Sequence, residues 1–206
     1  MTETLVLTFA EIEFLLQSRP PQDVPIREQL DLCGDSEADA VARAGVSSLL
    51  ARGLWVMKDE DVELADELLP VILALSSART SARAVSWVGE RMTLVHFFVG
   101  SEYGVVLFPA AYGQYLVRGL DVSVPLSSQI VRFVTSSLDQ ESGSTVMVQV
   151  TRDGEKVSAA AAKDEKGSWY LSDSQDSPDR SIPSTRDAVM ARLEELFEFG
   201  QAVGVR

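Results

Sequence analysis

Hydrophobic positions change their spacing about two fifths of the way along the chain, and that change sets the order of elements the sequence predicts. Before residue 80 apolar residues recur at helical intervals. Leu5–Leu7 is a short apolar start, and Thr8-Phe9-Ala10-Glu11 has capping-box spacing: the Thr hydroxyl accepts from the third helical amide while the Glu reaches back. Ile12, Leu15 and Leu16 then fall on one stripe, which predicts a helix over 9–18, ended by Pro20-Pro21. Residues 19–34 read as loop with a short turn near 26–30. A second helix is expected over 36–52, with Ala38, Val41, Gly45 or Val46, and Leu49 on one side, stopped by Gly53. Leu54–Met57 reads as a short strand and Asp59–Asp61 as an acidic turn. A third helix carries Leu64, Leu68, Val71, Ile72 and Leu75 on one face, with Pro70 as a point of kinking or splitting.

After residue 80 the pattern becomes that of strands. Segments 82–88, 92–99 and 105–108 are rich in β-branched and aromatic residues and separated by glycine turns, with 112–118 as a fourth strand. Pro125 suits a first helical turn, and Leu126, Ile130, Phe133, Val134 and Leu138 make an amphipathic helix. Strands at 145–151 and 156–162 flank Asp153-Gly154, the strongest hairpin signal in the chain. Residues 168–171 form another strand, 172–183 an exposed, mobile loop, and 185–199 a last helix with Val189, Leu193, Leu196 and Phe197 inward. The expected fold class is α+β: antiparallel meanders forming a sheet, helices packed on it, meander-and-helix units in succession, and a helical N-terminal segment. One domain over 1–206 is expected, with lobes at 1–80, 81–140 and 141–206.

Composition narrows the function classes. The 206 residues are 46% hydrophobic, enough for a real core. No apolar run is long enough to span a membrane, and MTETLVLTFAEIE lacks the basic start and cleavage site of a secretory signal. Cys33 is the single cysteine, which suits a reducing cytoplasm and leaves no intrachain disulfide. With 18 basic against 31 acidic residues, a formal net charge of −13, nucleic acid and anionic membrane are disfavoured as partners.

Candidate chemistry is sparse. An imidazole base must be His96, the single histidine, and its strand is apolar on both alternating faces, which favours a buried structural role. Nucleophile-elbow and phosphate-loop motifs are absent. The acids at 59–63 are read as opening a helix, where they suit its positive end, and Glu194, Glu195 and Glu198 as a solvated helix face. No catalytic residue, cofactor or metal is expected, and the chain is read as non-enzymatic. Segment 36–57 has the helix, glycine and strand of a winged-helix reader, but Arg43 and Arg52 are its only cations. Trp55, Trp87, Trp169 and Tyr170 are potential interface anchors. Core filling is the preferred reading for Trp87, and one of the neighbours Trp169 and Tyr170 should face outward.

Four strings, taken in order, carry a family resemblance: Leu7-Thr8-x-x-Glu11, LLARGLW (49–55), ALSSARTSARAVSWVG (74–89) and GSWYLSD (167–173). With the order of elements, they make the chain resemble the EspG family of actinobacterial type VII (ESX) secretion. The resemblance implies a cytosolic, non-catalytic chaperone whose sheet and helical bundles hold the helical tip of a PE–PPE secretion substrate. The chain departs from that family in its short length and in Ser168-Trp169 where Gly-Arg is expected. Its Val88-Gly89-Glu90-Arg91 turn is tight where relatives carry a substrate-contacting loop. Glu90, Arg91 and Trp169 are therefore the candidate partner-binding residues. The alternatives are a winged-helix regulator and an interaction or immunity-type protein with another client.

Overall fold

Thr8 closes the first strand and caps the first helix. Its hydroxyl accepts from the Glu11 amide at 3.2 Å, and the Glu11 carboxylate accepts from the Thr8 amide at 2.7 Å. Strand β1 (Leu5–Thr8) thus runs straight into helix α1 (Phe9–Gln17). The computed structural model describes residues 5–18, 26–32, 35–58, 61–140, 143–172 and 182–198. The chain continues through α2 (Ile26–Gln29), α3 (Asp35–Ala51), the hairpin β2 (Trp55–Lys58) and β3 (Asp61–Leu64), and α4 (Leu69–Ser76). Strands β4 (Thr80–Val88), β5 (Arg91–Val99), β6 (Gly104–Ala110) and β7 (Gln114–Leu120) precede α5 (Leu126–Gln140). Strands β8 (Ser144–Arg152), β9 (Glu155–Lys163), β10 (Trp169–Ser172) and β11 (Ile182–Ser184) precede α6 (Arg186–Phe197). Nine strands make one antiparallel sheet in the order β1-β7-β6-β5-β4-β8-β9-β10-β11, and β2-β3 stands apart. The fold is α+β, as the change of hydrophobic period predicts.

The chain divides into two compact units: the chain as far as Ser81 with His96–Val122, and Ala82–Val95 with the chain from Ser123 onward. Strand β5 contributes residues to both units, while β6 and β7 belong to the first. In that first unit, Leu7, Leu107, Val117 and Phe98 pack with Ile12 and Leu15 of α1 and Ile72 and Leu75 of α4 in one apolar cluster. In the second, Ile130, Val134 and Leu138 of α5 and Val189, Leu193 and Phe197 of α6 are buried, as are Val146, Val148, Ala159 and Ala161 of β8 and β9.

Three expectations need correction. Of the acids at 59–63, Asp61 and Glu63 do not open a helix but belong to β3, paired with Lys58 and Val56, and 59–60 lie outside the described residues. Pro70 is the reason, because it lacks an amide donor and is tolerated only in a first turn, so α4 begins at Leu69. Leu64 accordingly leaves the helical stripe and pairs with Trp55. The strand expected from 112 begins at Gln114, with Tyr112 in the preceding turn at φ 61. Part of the loop expected at 172–183 is strand, since Ile182–Ser184 pairs with Leu171–Trp169, and 173–181 lie outside the described residues. Asp153 and Gly154 do form the hairpin turn, both with positive φ (51 and 81), between β8 and β9.

Candidate functional site

Strand β4 alternates between two environments. Ala82, Ala84, Ser86 and Val88 are buried, whereas Arg83 and Val85 are half-buried and Trp87 is exposed. This is the side-chain period of a sheet whose one face is covered and whose other is not. In the second unit, Met92 and Leu94 of β5 and Met147 and Gln149 of β8 join the same open face. Trp87 is 37% exposed, Met92 62% and Met147 37%. Across the β8–β9 ladder, Met147 is opposite Ala160 and Gln149 is opposite Ser158, both small side chains. The result is an open groove of about 300 Å³, lined by Arg83, Val85, Trp87, Met92, Leu94 and Met147 with Val148 and Gln149. The volume sits at the small end of ligand pockets, and the lining is mostly apolar with one cation.

Trp87 therefore corrects the sequence reading: it is a wall of this groove and not a core filler. The signal was present in the alternation of 82–88, where its face partner two and four residues back are Val85 and Arg83, and an arginine marks a face open to water. Met92 and Met147 suit such a surface because an unbranched thioether adapts to varied shapes.

The three candidate binding residues do not line this groove. Glu90 and Arg91 are exposed at the β4–β5 turn, where Gly89 takes φ 59. Arg91 borders a smaller, more polar pocket of about 170 Å³ with Ser86, Thr93, Ser136, Ser137 and Gln140. Trp169 is buried at 8% exposure. Lys163 Nζ lies 5.7 Å and the Arg186 guanidinium 6.0 Å from its ring centre, and Asp139 ion-pairs both cations. Tyr170, its outward neighbour, is half-buried and donates from its hydroxyl to Asp164 at 3.1 Å. Asp164 also accepts the Ser168 and Lys166 amides at 2.8 and 2.9 Å, and these bonds hold its carboxyl below the usual carboxylate value.

His96 is 2% exposed and lies parallel to Phe98, its ring centre 6.4 Å away, opposite Leu107 in the ladder. The cations of the winged-helix reading diverge. Arg52 is ion-paired to Glu11 at 2.8 Å, whereas Arg43 is exposed. Gly45 brings α3 so near α1 that a Cβ there would lie 2.0 Å from the Ala10 carbonyl oxygen. Among the described residues, no group of three or more His, Cys, Asp or Glu side chains is placed to hold a metal ion, and no helix is long and apolar enough to cross a membrane. No protein-family model matches the chain, and no curated protein is similar to it.

Proposed function

We propose that this protein is a non-catalytic binding module that holds an apolar segment of a partner protein in the groove of its second unit. The observation that carries this reading is the juxtaposition of Trp87, Met92 and Met147 on one uncovered sheet face. Large side chains that could be buried are instead left in water, which is how docking surfaces differ from ordinary monomer surface. The resemblance to EspG supplies the client class: a helical secretion substrate of PE–PPE type, held in the cytoplasm in chaperone-like fashion before type VII export. The groove accepts a segment of a client's apolar tip, not the whole client.

Parallel affinity capture of wild type and Met147→Glu from the cells that make the protein tests this reading. The expected result is a small helical secretion substrate recovered with wild type and lost with the variant. Equal recovery with both, or no helical client with either, contradicts it.

A further inference from the structure

Arg83 differs from the ion-paired cations among the described residues. Arg27 and Arg52 reach the carboxylates of Glu13 and Glu11, and Lys163 and Arg186 reach Asp139. Arg83 has no ion pair, and its Nε is buried without a hydrogen-bond partner among the described residues. Its side chain is half-buried in the groove wall between apolar neighbours. A guanidinium has five donors and is not deprotonated in proteins, so partial burial without an acceptor is unfavourable. An unsatisfied buried donor calls for an explanation in what the free protein lacks.

We infer that Arg83 is the specificity residue of the groove and that it pairs with an acidic side chain of the bound segment. The inference rests on the reading of the groove as a protein-binding site and adds the chemistry of its occupant: an aliphatic stretch carrying one Asp or Glu. Charge complementarity carries the assignment. None of the residues lining the groove is acidic, although acids outnumber bases 31 to 18 in the chain. The groove is thus a cationic spot on an anionic protein, where a lone carboxylate between apolar side chains is the matching ligand. Gln149, also in the lining, has an amide that can donate to the second carboxylate oxygen. A planar guanidinium meets a carboxylate with two parallel bonds, and partial exclusion of water strengthens both. The overall negative charge repels acidic chains in general, so the pairing selects segments that also fill the apolar walls.

The test uses the full chain, labelled with nitrogen-15, and a panel of acetylated, amidated amphipathic peptides. One Glu is stepped through the apolar face, each peptide being matched by its Gln counterpart. Groove resonances, including the Arg83 Nε–H, report binding, and titration gives affinity. The expected result is that at least one Glu peptide binds about tenfold tighter than its Gln match. That preference should disappear in Arg83→Met and be only partly kept in Arg83→Lys. Because the buried Arg83 Nε has no hydrogen-bond partner among the described residues, Arg83→Met should melt no lower than wild type, which guards against loss of fold. Peptides that shift groove signals without any Glu preference overturn the role of Arg83 and leave the groove reading intact. If no peptide shifts the groove signals, or if Met147→Glu leaves their binding unchanged, both readings fail.

Discussion

Arg52 and Glu11, 41 residues apart, form one clasp: Nη1 lies 2.8 Å from each carboxylate oxygen of Glu11. Nη2 of the same arginine donates to the Val6 carbonyl at 2.8 Å. Glu11 is fully buried, and it also accepts from the Thr8 amide at 2.7 Å and the Ser48 hydroxyl at 2.8 Å. One carboxylate therefore ties together the start of α1, the C-terminal turn of α3 and the edge strand β1. The backbone groups used, Val6 C=O and Thr8 N–H, belong to alternate residues of β1, whose carbonyls and amides share a direction. The clasp satisfies these groups on the outermost strand of the sheet, which would otherwise be free for strand pairing.

Arg52→Ala should destabilise the first unit by about 2–4 kcal/mol. Removing one partner leaves a buried carboxylate unpaired, and the figure sits below that for a fully buried pair because Arg52 is 38% exposed. Replacing both residues together, as Glu11→Gln with Arg52→Met, should be less than additive. Urea denaturation of the two single variants and the double variant measures this coupling.

Gly45→Ala should be among the most damaging small substitutions. The new Cβ would lie 2.0 Å from the Ala10 oxygen and 2.6 Å from its carbon, both backbone atoms that cannot rotate away. α1 and α3 must move apart, at a cost of about 3 kcal/mol or more. A fall in melting temperature, against a neutral Ser47→Ala control on the exposed side, tests this.

Tyr115 should give the protein an alkaline limit. Its hydroxyl donates to the Leu30 carbonyl at 3.0 Å inside the core of the first unit. Burial, reinforced by the charge of Asp31, raises its pKa above the ordinary 10.0. A raised folded value means that this stabilisation is complete below 10.0 and declines as pH rises through the folded value. Tyr115→Phe should cost about 1–2 kcal/mol near neutrality by orphaning the Leu30 carbonyl, and should flatten the decline. Denaturation midpoints on either side of 10.0 check both effects.

Met92→Gln should leave folding nearly unchanged, within about 0.5 kcal/mol, because Met92 is 62% exposed, and Met147→Gln, at 37% exposure, should cost no more than about 1 kcal/mol. Both should weaken capture of a client. Loss of binding with an unshifted melt separates a docking face from a structural one.

Much of this architecture is legible in local chemistry. Thr8 and Glu11 announce the first helix, Asp153-Gly154 the hairpin, and the change of period at residue 80 the meander. What could not be read is what depends on distant partners. Asp61–Leu64 looks like a helix opening because its acids and leucines fit helical spacing, and only pairing with Trp55–Lys58 makes it a strand. Glu11 and Glu13 are fully buried acids on the first helix, and their burial is tolerable only because Arg52 and Arg27 arrive from elsewhere. The groove divides the same way. Alternation in β4 puts Arg83, Val85 and Trp87 on one face, but nothing local says which face the helices leave open. Trp169 shows the converse, since an aromatic that looks available is enclosed by Lys163 and Arg186.

The most direct test of the central claim is photo-cross-linking in the cells that make the protein, with a benzophenone amino acid placed at Met147 or, as control, at Tyr112. Both sites are accessible, Met147 at 37% and Tyr112 at 95% exposure, but they lie in different units. The account predicts one dominant adduct from Met147 to a helical secretion substrate, and none of comparable yield from Tyr112. No specific adduct from Met147, or the same adducts from both positions, would contradict it.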